Sequence, residues 1–337
     1  MSNSQLSSDL SLDASKFDYA KISKTTAQFN EALIQKLESG PKWYEVGAEK
    51  YRQMRWNGET PLPKPKVIES GEDFNIPSRD SGREIPCRMF KPADGQVKGV
   101  FMHIHGGGWV LQDINYQDGL LKFHADNCGL AVISVGYRLA PENPFPAAPE
   151  DCFDAAEYLV ENAKSKYGGD LCFIGGESAG GHLSVLTALH LLKTKPTFAL
   201  RGLLLHFGAY DLSLLPSVHH FDKPLVLDKP IIDHYLEAFV PNTSLAQRRD
   251  PSISPFYADL RDYGRGKLPP ALFTCGTEDP LLDDSMMMAA KWMSAGNDAV
   301  VRIYTGAPHG YILYPPGACE SVEEGLEAAR QFILEKL

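Results

Sequence analysis

The chain has 337 residues, 43% of them apolar and 23% charged, with 43 acidic against 33 basic side chains and a net charge of −10. That is enough apolar material for one large core or two ordinary ones, and the composition excludes global disorder. The acidic balance offers no attraction to nucleic acid or to an anionic bilayer surface, and no run approaches the roughly 18 apolar residues of a membrane span, so neither partner is expected.

In chain order, the first dozen residues are polar. They lack the basic and apolar stretches of a secretion signal and read as a disordered tail, which makes the cytoplasm the expected location. Up to about residue 60 the pattern is helical without a convincing strand. Beyond it, strands are predicted at 66–68, 84–90, 99–104, 131–135, 171–174, 202–207, 271–275 and 300–304. The middle runs are short, continuous and bulky, as in parallel strands buried on both faces. Helices are predicted at 151–167, ending before Gly168-Gly169, and at 178–193, 285–295 and 321–337. This alternation predicts a mostly parallel sheet with helices on both faces. Residues 209–267 break it. They and segment 1–60 are expected to contribute a cap over one end of the sheet, with 61–337 as the main domain. The six cysteines form no CxxC pair and no zinc-like spacing, and read as reduced core thiols. No metal or other cofactor is expected.

Three motifs carry chemistry. The first is His105-Gly106-Gly107-Gly108-Trp109, directly after the strand at 99–104. Successive glycines free the backbone to aim N–H groups at an oxyanion. A phosphate loop would need a following Gly-Lys-Ser/Thr or a G-x-G-x-x-G, and neither is present. The second is Gly176-Glu177-Ser178-Ala179-Gly180, a G-x-S-x-G between a buried strand and a helix, the setting that projects a nucleophilic serine. The third is His309, in a turn-like stretch beyond the last core strand. It is the candidate base, because a hydroxyl needs one to attack near neutral pH. His182 lies one helical turn beyond the serine and is expected to pack or hydrogen-bond there. His103 and His206, inside strands, read as satisfied core histidines. The acid should leave a strand end between Ser178 and His309. Glu278, Asp279, Asp283 and Asp284 all qualify by position, Asp283 and Asp284 equally as caps of the next helix.

Taken together, His105–Trp109, the run Tyr137-Arg138-Leu139-Ala140-Pro141-Glu142 with Phe145-Pro146-Ala147-Ala148, Gly176–Gly181, Asp279-Pro280-Leu281 and His309-Gly310 resemble the hormone-sensitive-lipase family of esterases. The resemblance covers roughly residues 85 to 337. It implies an eight-stranded α/β-hydrolase core, a helical cap drawn largely from the N-terminal segment, and no cofactor. By position it implies Ser178 as nucleophile, Asp279 as acid and His309 as base, with the N–H groups of Gly107, Gly108 and Ala179 as oxyanion donors. His105 would brace the glycine loop, and Arg138 and Glu142 would be structural. Glu177 stands where many relatives carry Asp and keeps the carboxylate.

The activity this implies is hydrolysis of a small-molecule carboxylic ester through an acyl-enzyme. The same triad serves an amide, lactone or thioester, and a hydrolase fold also supports a non-catalytic receptor. Trp109 and Tyr210 are expected to narrow the substrate pocket to short or medium acyl chains. Nothing in the sequence bears on the oligomeric state.

Overall fold

The computed structural model describes residues 11–337, so most of the expected N-terminal tail lies outside the described residues. One sheet runs through the molecule, with strands β1 (Glu72–Pro77), β2 (Glu84–Phe90), β3 (Gly99–Ile104), β4 (Leu130–Val135), β5 (Leu171–Glu177), β6 (Gly202–His206), β7 (Ala271–Glu278) and β8 (Ala299–Pro308). Their spatial order is β1-β2-β4-β3-β5-β6-β7-β8. β1 and β2 pair antiparallel, as do β2 and β4, and every later pair is parallel. This is the mostly parallel, two-face-covered sheet that the alternation predicts, and the eight-stranded α/β-hydrolase fold that the resemblance implies.

Alternate residues along β3 show why the sheet is covered on both faces. Val100, Met102 and Ile104 join one apolar cluster with the helices Ala147–Tyr167, Ala179–Thr194 and Leu282–Ser294. Phe101, between them, joins a second cluster with the helices Asp118–Cys128 and Glu320–Lys336. All six cysteines are free and buried.

Two sequence expectations need correction. Residues 66–68 are not a strand: the Ile68 N–H donates to Asp118 Oδ2 at 2.8 Å and its carbonyl accepts from Arg88 at 2.7 Å, so side chains take the groups a ladder would use. The first strand is instead β1, a charged edge segment with only Ile76 buried, which carries almost no apolar alternation. The helix predicted from Asp151 begins at Ala147, with Pro149 in its first turn, where no intrahelical N–H is lost. Asp151 does not cap it. This buried carboxylate accepts from the Arg138 N–H at 2.9 Å and from Arg138 Nε at 3.0 Å, and pairs also with Arg83.

Segment 209–267 folds into the helices Pro216–His220, Lys229–Phe239 and Leu245–Arg248 with short 3-10 turns. The N-terminal segment supplies Lys24–Ser39, Trp43–Val46 and Ala48–Asn57. The two meet where Trp43 stacks on Tyr235, with ring centroids 5.1 Å apart, and Tyr44 on His234. Arg52 ties the N-terminal segment to the sheet's rim: its Nε donates to Val110 O at 2.7 Å, and its guanidinium pairs with Glu142 at 2.8 Å. Among the described residues no helix is long and apolar enough to cross a membrane.

Candidate active site

The turn between β5 and its helix is tight because two glycines permit it. A Cβ at either Gly176 or Gly180 would run into the carbonyl oxygen of Ile104 at the end of β3. Ser178, at the tip, is held at φ 56 and ψ −118, a conformation that L-residues rarely adopt. Its N–H donates to His206 O at 2.9 Å, which anchors the strained residue. The Oγ then lies 3.0 Å from His309 Nε2. On the other side of the ring, His309 Nδ1 lies 2.9 Å from Asp279 Oδ2. The second oxygen of Asp279 accepts the Leu281 N–H at 2.9 Å. Ser178 follows β5, Asp279 leaves the C-terminal end of β7 and His309 follows β8, so three strand ends on the same edge of the sheet, with β6 between the first two, bring the three side chains together. Asp279 is 2% exposed and His309 6%.

The glycine loop sits beside them. Gly107 and Gly108 both have positive φ, 98° and 60°. A Cβ on Gly108 would strike the Tyr235 ring of the Lys229–Phe239 helix, so that helix presses directly on the loop. Among the described residues neither amide donates to a protein acceptor. Ala179 opens its helix, so its N–H has no intrahelical carbonyl. His105 stacks on Tyr137 at 4.3 Å, and the Tyr137 hydroxyl donates to His105 O at 2.9 Å. Burial pushes the His105 imidazole down to about 4, which keeps it neutral.

A cavity of about 570 Å³ reaches Ser178 and His309. Its walls come from the glycine loop, from Trp43, Tyr51 and Arg55 of the N-terminal segment, and from Leu227, Ile231 and Tyr235 of the inserted segment. Trp109 lines it, with its ring stacked on Phe239 at 4.5 Å and its Nε1 donating to His182 Nδ1 at 3.1 Å.

Tyr210 does not line it, which corrects the expectation. Its neighbours Ala209 and Asp211 face the cavity, while Tyr210 is fully buried and points the other way, edge-on to Phe273. His182, pushed down to about 4 by burial, spans Trp109 and the carbonyl of Ile253 at 2.7 Å. His103 lies between Ser134 at 3.1 Å and Glu177 at 3.0 Å, and His206 bonds Thr274 at 2.8 Å, so the strand histidines have core partners. Burial raises the Glu177 carboxyl, but the adjacent His103 outweighs this and leaves it below the usual range. The sequence points to the N-terminal segment as part of a cap, but its individual wall residues Trp43, Tyr51 and Arg55 carry no motif that singles them out.

Asp283 and Asp284 stand in the first turn of the Leu282–Ser294 helix but do not cap it. Asp283 Oδ2 accepts the Ser217 N–H at 2.9 Å, and Asp284 Oδ1 accepts those of Tyr210 at 2.6 Å and Asp211 at 2.8 Å. Burial raises the Asp284 carboxyl to about 8 despite those two donors. The folded state therefore keeps a proton that the unfolded chain releases near pH 3.9. Its contribution is complete below about pH 4 and declines as pH rises toward 8. Asp284→Asn keeps an acceptor for both N–H groups and removes the titration. Urea unfolding at pH 5 and pH 8.5 should show a smaller stability loss for the variant than for the parent, by on the order of 4 kcal/mol. An unchanged difference contradicts this.

Among the described residues no three of His, Cys, Asp or Glu are grouped to hold a metal ion.

Residues 101–313 match the model of a family described as alpha/beta hydrolase fold. The chain is 31% identical over 296 residues to carboxylesterase NlhH of Mycobacterium tuberculosis (strain CDC 1551 / Oshkosh), covering 85% of this chain and 89% of that protein. It is 29% identical over 259 residues to an ethyl acetate hydrolase of Pseudomonas putida, covering 75% and 79%. Among solved structures, a hyperthermophilic esterase from the archaeon Pyrobaculum calidifontis superimposes with a TM-score of 0.79 at 27% identity, covering 93% of this chain and 98% of that one.

Proposed function

This chain belongs to the alpha/beta hydrolase fold family, in its hormone-sensitive-lipase-like group, and on that premise we propose that it is a carboxylic-ester hydrolase acting through Ser178, His309 and Asp279. The observation that carries the reading is the unbroken chain from Ser178 Oγ through the His309 ring to Asp279, at 3.0 and 2.9 Å. Similarity to proteins named as esterases supports the same chemistry.

Ser178 Oγ attacks the ester carbonyl as its proton passes to His309 Nε2. The carbonyl oxygen becomes an oxyanion, which the N–H groups of Gly107, Gly108 and Ala179 stabilise; one such donor is worth roughly 3 kcal/mol. Collapse breaks the bond to the alcohol, and His309 returns the proton to the leaving oxygen. Water then attacks the acyl-serine with His309 again as base, releasing the acid and restoring the Ser178 hydroxyl. Asp279 fixes the ring so that Nδ1 carries a hydrogen and Nε2 faces the serine. We assign the N-terminal and inserted segments to a cap, since both supply cavity wall above this machinery.

The cavity walls are largely apolar side chains and enclose a finite space. Each added acyl methylene gains about 0.8 kcal/mol until a wall is met, and then overlap reverses the trend. On p-nitrophenyl esters from C2 to C16, kcat/KM should rise from acetyl to about butyryl or hexanoyl and then fall. An optimum at C12 or longer would mean an open groove and would remove the cap from this scheme. No turnover of any member, together with no fluorophosphonate labelling of Ser178, would remove the hydrolase reading itself.

A further inference from the structure

The cavity is far more basic than the chain that builds it. Its lining includes Lys42, Arg55, Lys64 and Lys66, although the whole protein carries a net charge of −10. Among the described residues none of these four cations forms an ion pair within 4.0 Å. The acidic groups on the same wall are already engaged. Glu177 meets His103, and Asp211 accepts from the Ser213 N–H and hydroxyl and from the Tyr257 hydroxyl.

Arg55 is the informative member. It projects from the Ala48–Asn57 helix and is only 7% exposed. Its Nε is buried with no partner, and the one hydrogen bond of its side chain among the described residues is a long one, 3.4 Å from Nη2 to Pro63 O. The guanidinium lies 5.0 Å from the centroid of Tyr116, whose own hydroxyl is buried and without a partner. Burial pushes that phenol up to about 12, so it remains an O–H donor. A buried cation without a carboxylate is costly, and contact with an aromatic face offsets only part of the cost. Here it sits with a second unfilled donor on the wall of a cavity that also reaches Ser178.

We infer that the substrate carries an anionic group, a carboxylate by preference, at the end remote from the scissile ester, and that Arg55 with Tyr116 receives it. A guanidinium fork matches the two oxygens of a carboxylate, and the exposed Lys64 and Lys66 at the cavity's edge draw an anion inward. The substrate class is then a monoester of a dicarboxylic acid. This rests on the ester-hydrolase reading above.

The test compares p-nitrophenyl hexanoate with the p-nitrophenyl monoester of adipic acid, which has the same number of acyl carbons and ends in a carboxylate. The glutaric and suberic monoesters vary the reach. The readout is the ratio of the two kcat/KM values, because a general loss of folded enzyme cancels in it. The parent should favour the best monoester by roughly tenfold or more, and Arg55→Met should abolish that preference, while Arg55→Lys keeps part of it. High salt should shrink the parent's ratio without need of any variant. Hydrolysis of the neutral ester with no preference for any monoester overturns the inference and leaves the hydrolase reading intact. Should neither ester be turned over, calorimetric titration with adipate itself decides the inference. Binding that Arg55→Met weakens by roughly tenfold supports it, and absence of binding to the parent overturns it.

Discussion

Ser178→Ala is expected to lower ester turnover by roughly 10⁴-fold or more, with the protein still folded. The loss is large because no acyl-enzyme forms without the Oγ, and His309 left alone can only promote slow direct attack by water. The fold should survive because the side chain does little structural work. Its one side-chain bond is to His309 Nε2, and the anchor of the strained turn is the backbone N–H donated to His206 O, which alanine retains. Alanine meets the same positive φ as serine, so no new strain enters. The measurement is single-turnover and steady-state hydrolysis of the best p-nitrophenyl ester beside a thermal melt. Fluorophosphonate should add its mass to the parent at Ser178 and leave the variant unlabelled. Activity within tenfold of the parent, with a matching melt, would mean that another group is the nucleophile.

The chemistry was legible in the sequence to the extent that it depends on backbone. The Gly-rich loop and the G-x-S-x-G stand out because close approach excludes a side chain: Gly176 and Gly180 both lie against the Ile104 carbonyl, and Gly108 lies under the Tyr235 ring. The central strands were legible because both faces are buried, which leaves short, mostly apolar runs such as β3 and β4, each broken by one polar residue, His103 and Ser134. β1 was not, because an edge strand with one buried residue has no such run. The helix Asp118–Cys128 was missed for a related reason. It begins without a side-chain cap, and buried Asp118 and His124 interrupt its apolar face. Asp118 is spent on Arg88, an ion pair between residues 30 positions apart that no local pattern reveals. Tyr210 failed as a pocket residue because alternation along residues 209–211 decides which side chain faces the cavity, and the turn after β6 sets that phase. Arg55 is the clearest case. As a basic residue on a polar helix it looks like solvent-facing charge, and only the packing of Tyr51, Tyr116 and the 61–65 stretch around the cavity makes it a buried cation.

Asp279→Asn should cost nearly as much as loss of the serine, roughly 10³- to 10⁴-fold in kcat, and the reason lies in which atoms Asp279 already bonds. Its Oδ1 accepts the Leu281 N–H, and its Oδ2 faces His309 Nδ1. An asparagine at this position must keep its oxygen toward the Leu281 N–H, since an NH₂ there would face another donor. That turns the amide NH₂ toward His309. The ring then presents a lone pair at Nδ1 and moves its hydrogen to Nε2, where it faces the serine as a donor instead of accepting its proton. Geometry is preserved and the tautomer is wrong, so the fault should appear in kcat with little change in stability. Asp283→Asn is the control. Its carboxylate accepts the Ser217 N–H from the inserted segment and touches neither His309 nor Ser178, and the amide oxygen can keep that bond. It should reduce kcat by less than about tenfold, since one hydrogen bond outside the reacting atoms loses its charge but keeps its acceptor. If Asp283→Asn matches Asp279→Asn in lost kcat while both proteins melt normally, the acid has been misassigned. If Asp279→Asn keeps kcat within tenfold, the imidazole does not depend on that carboxylate for its tautomer, and the order serine–histidine–aspartate fails at its last member.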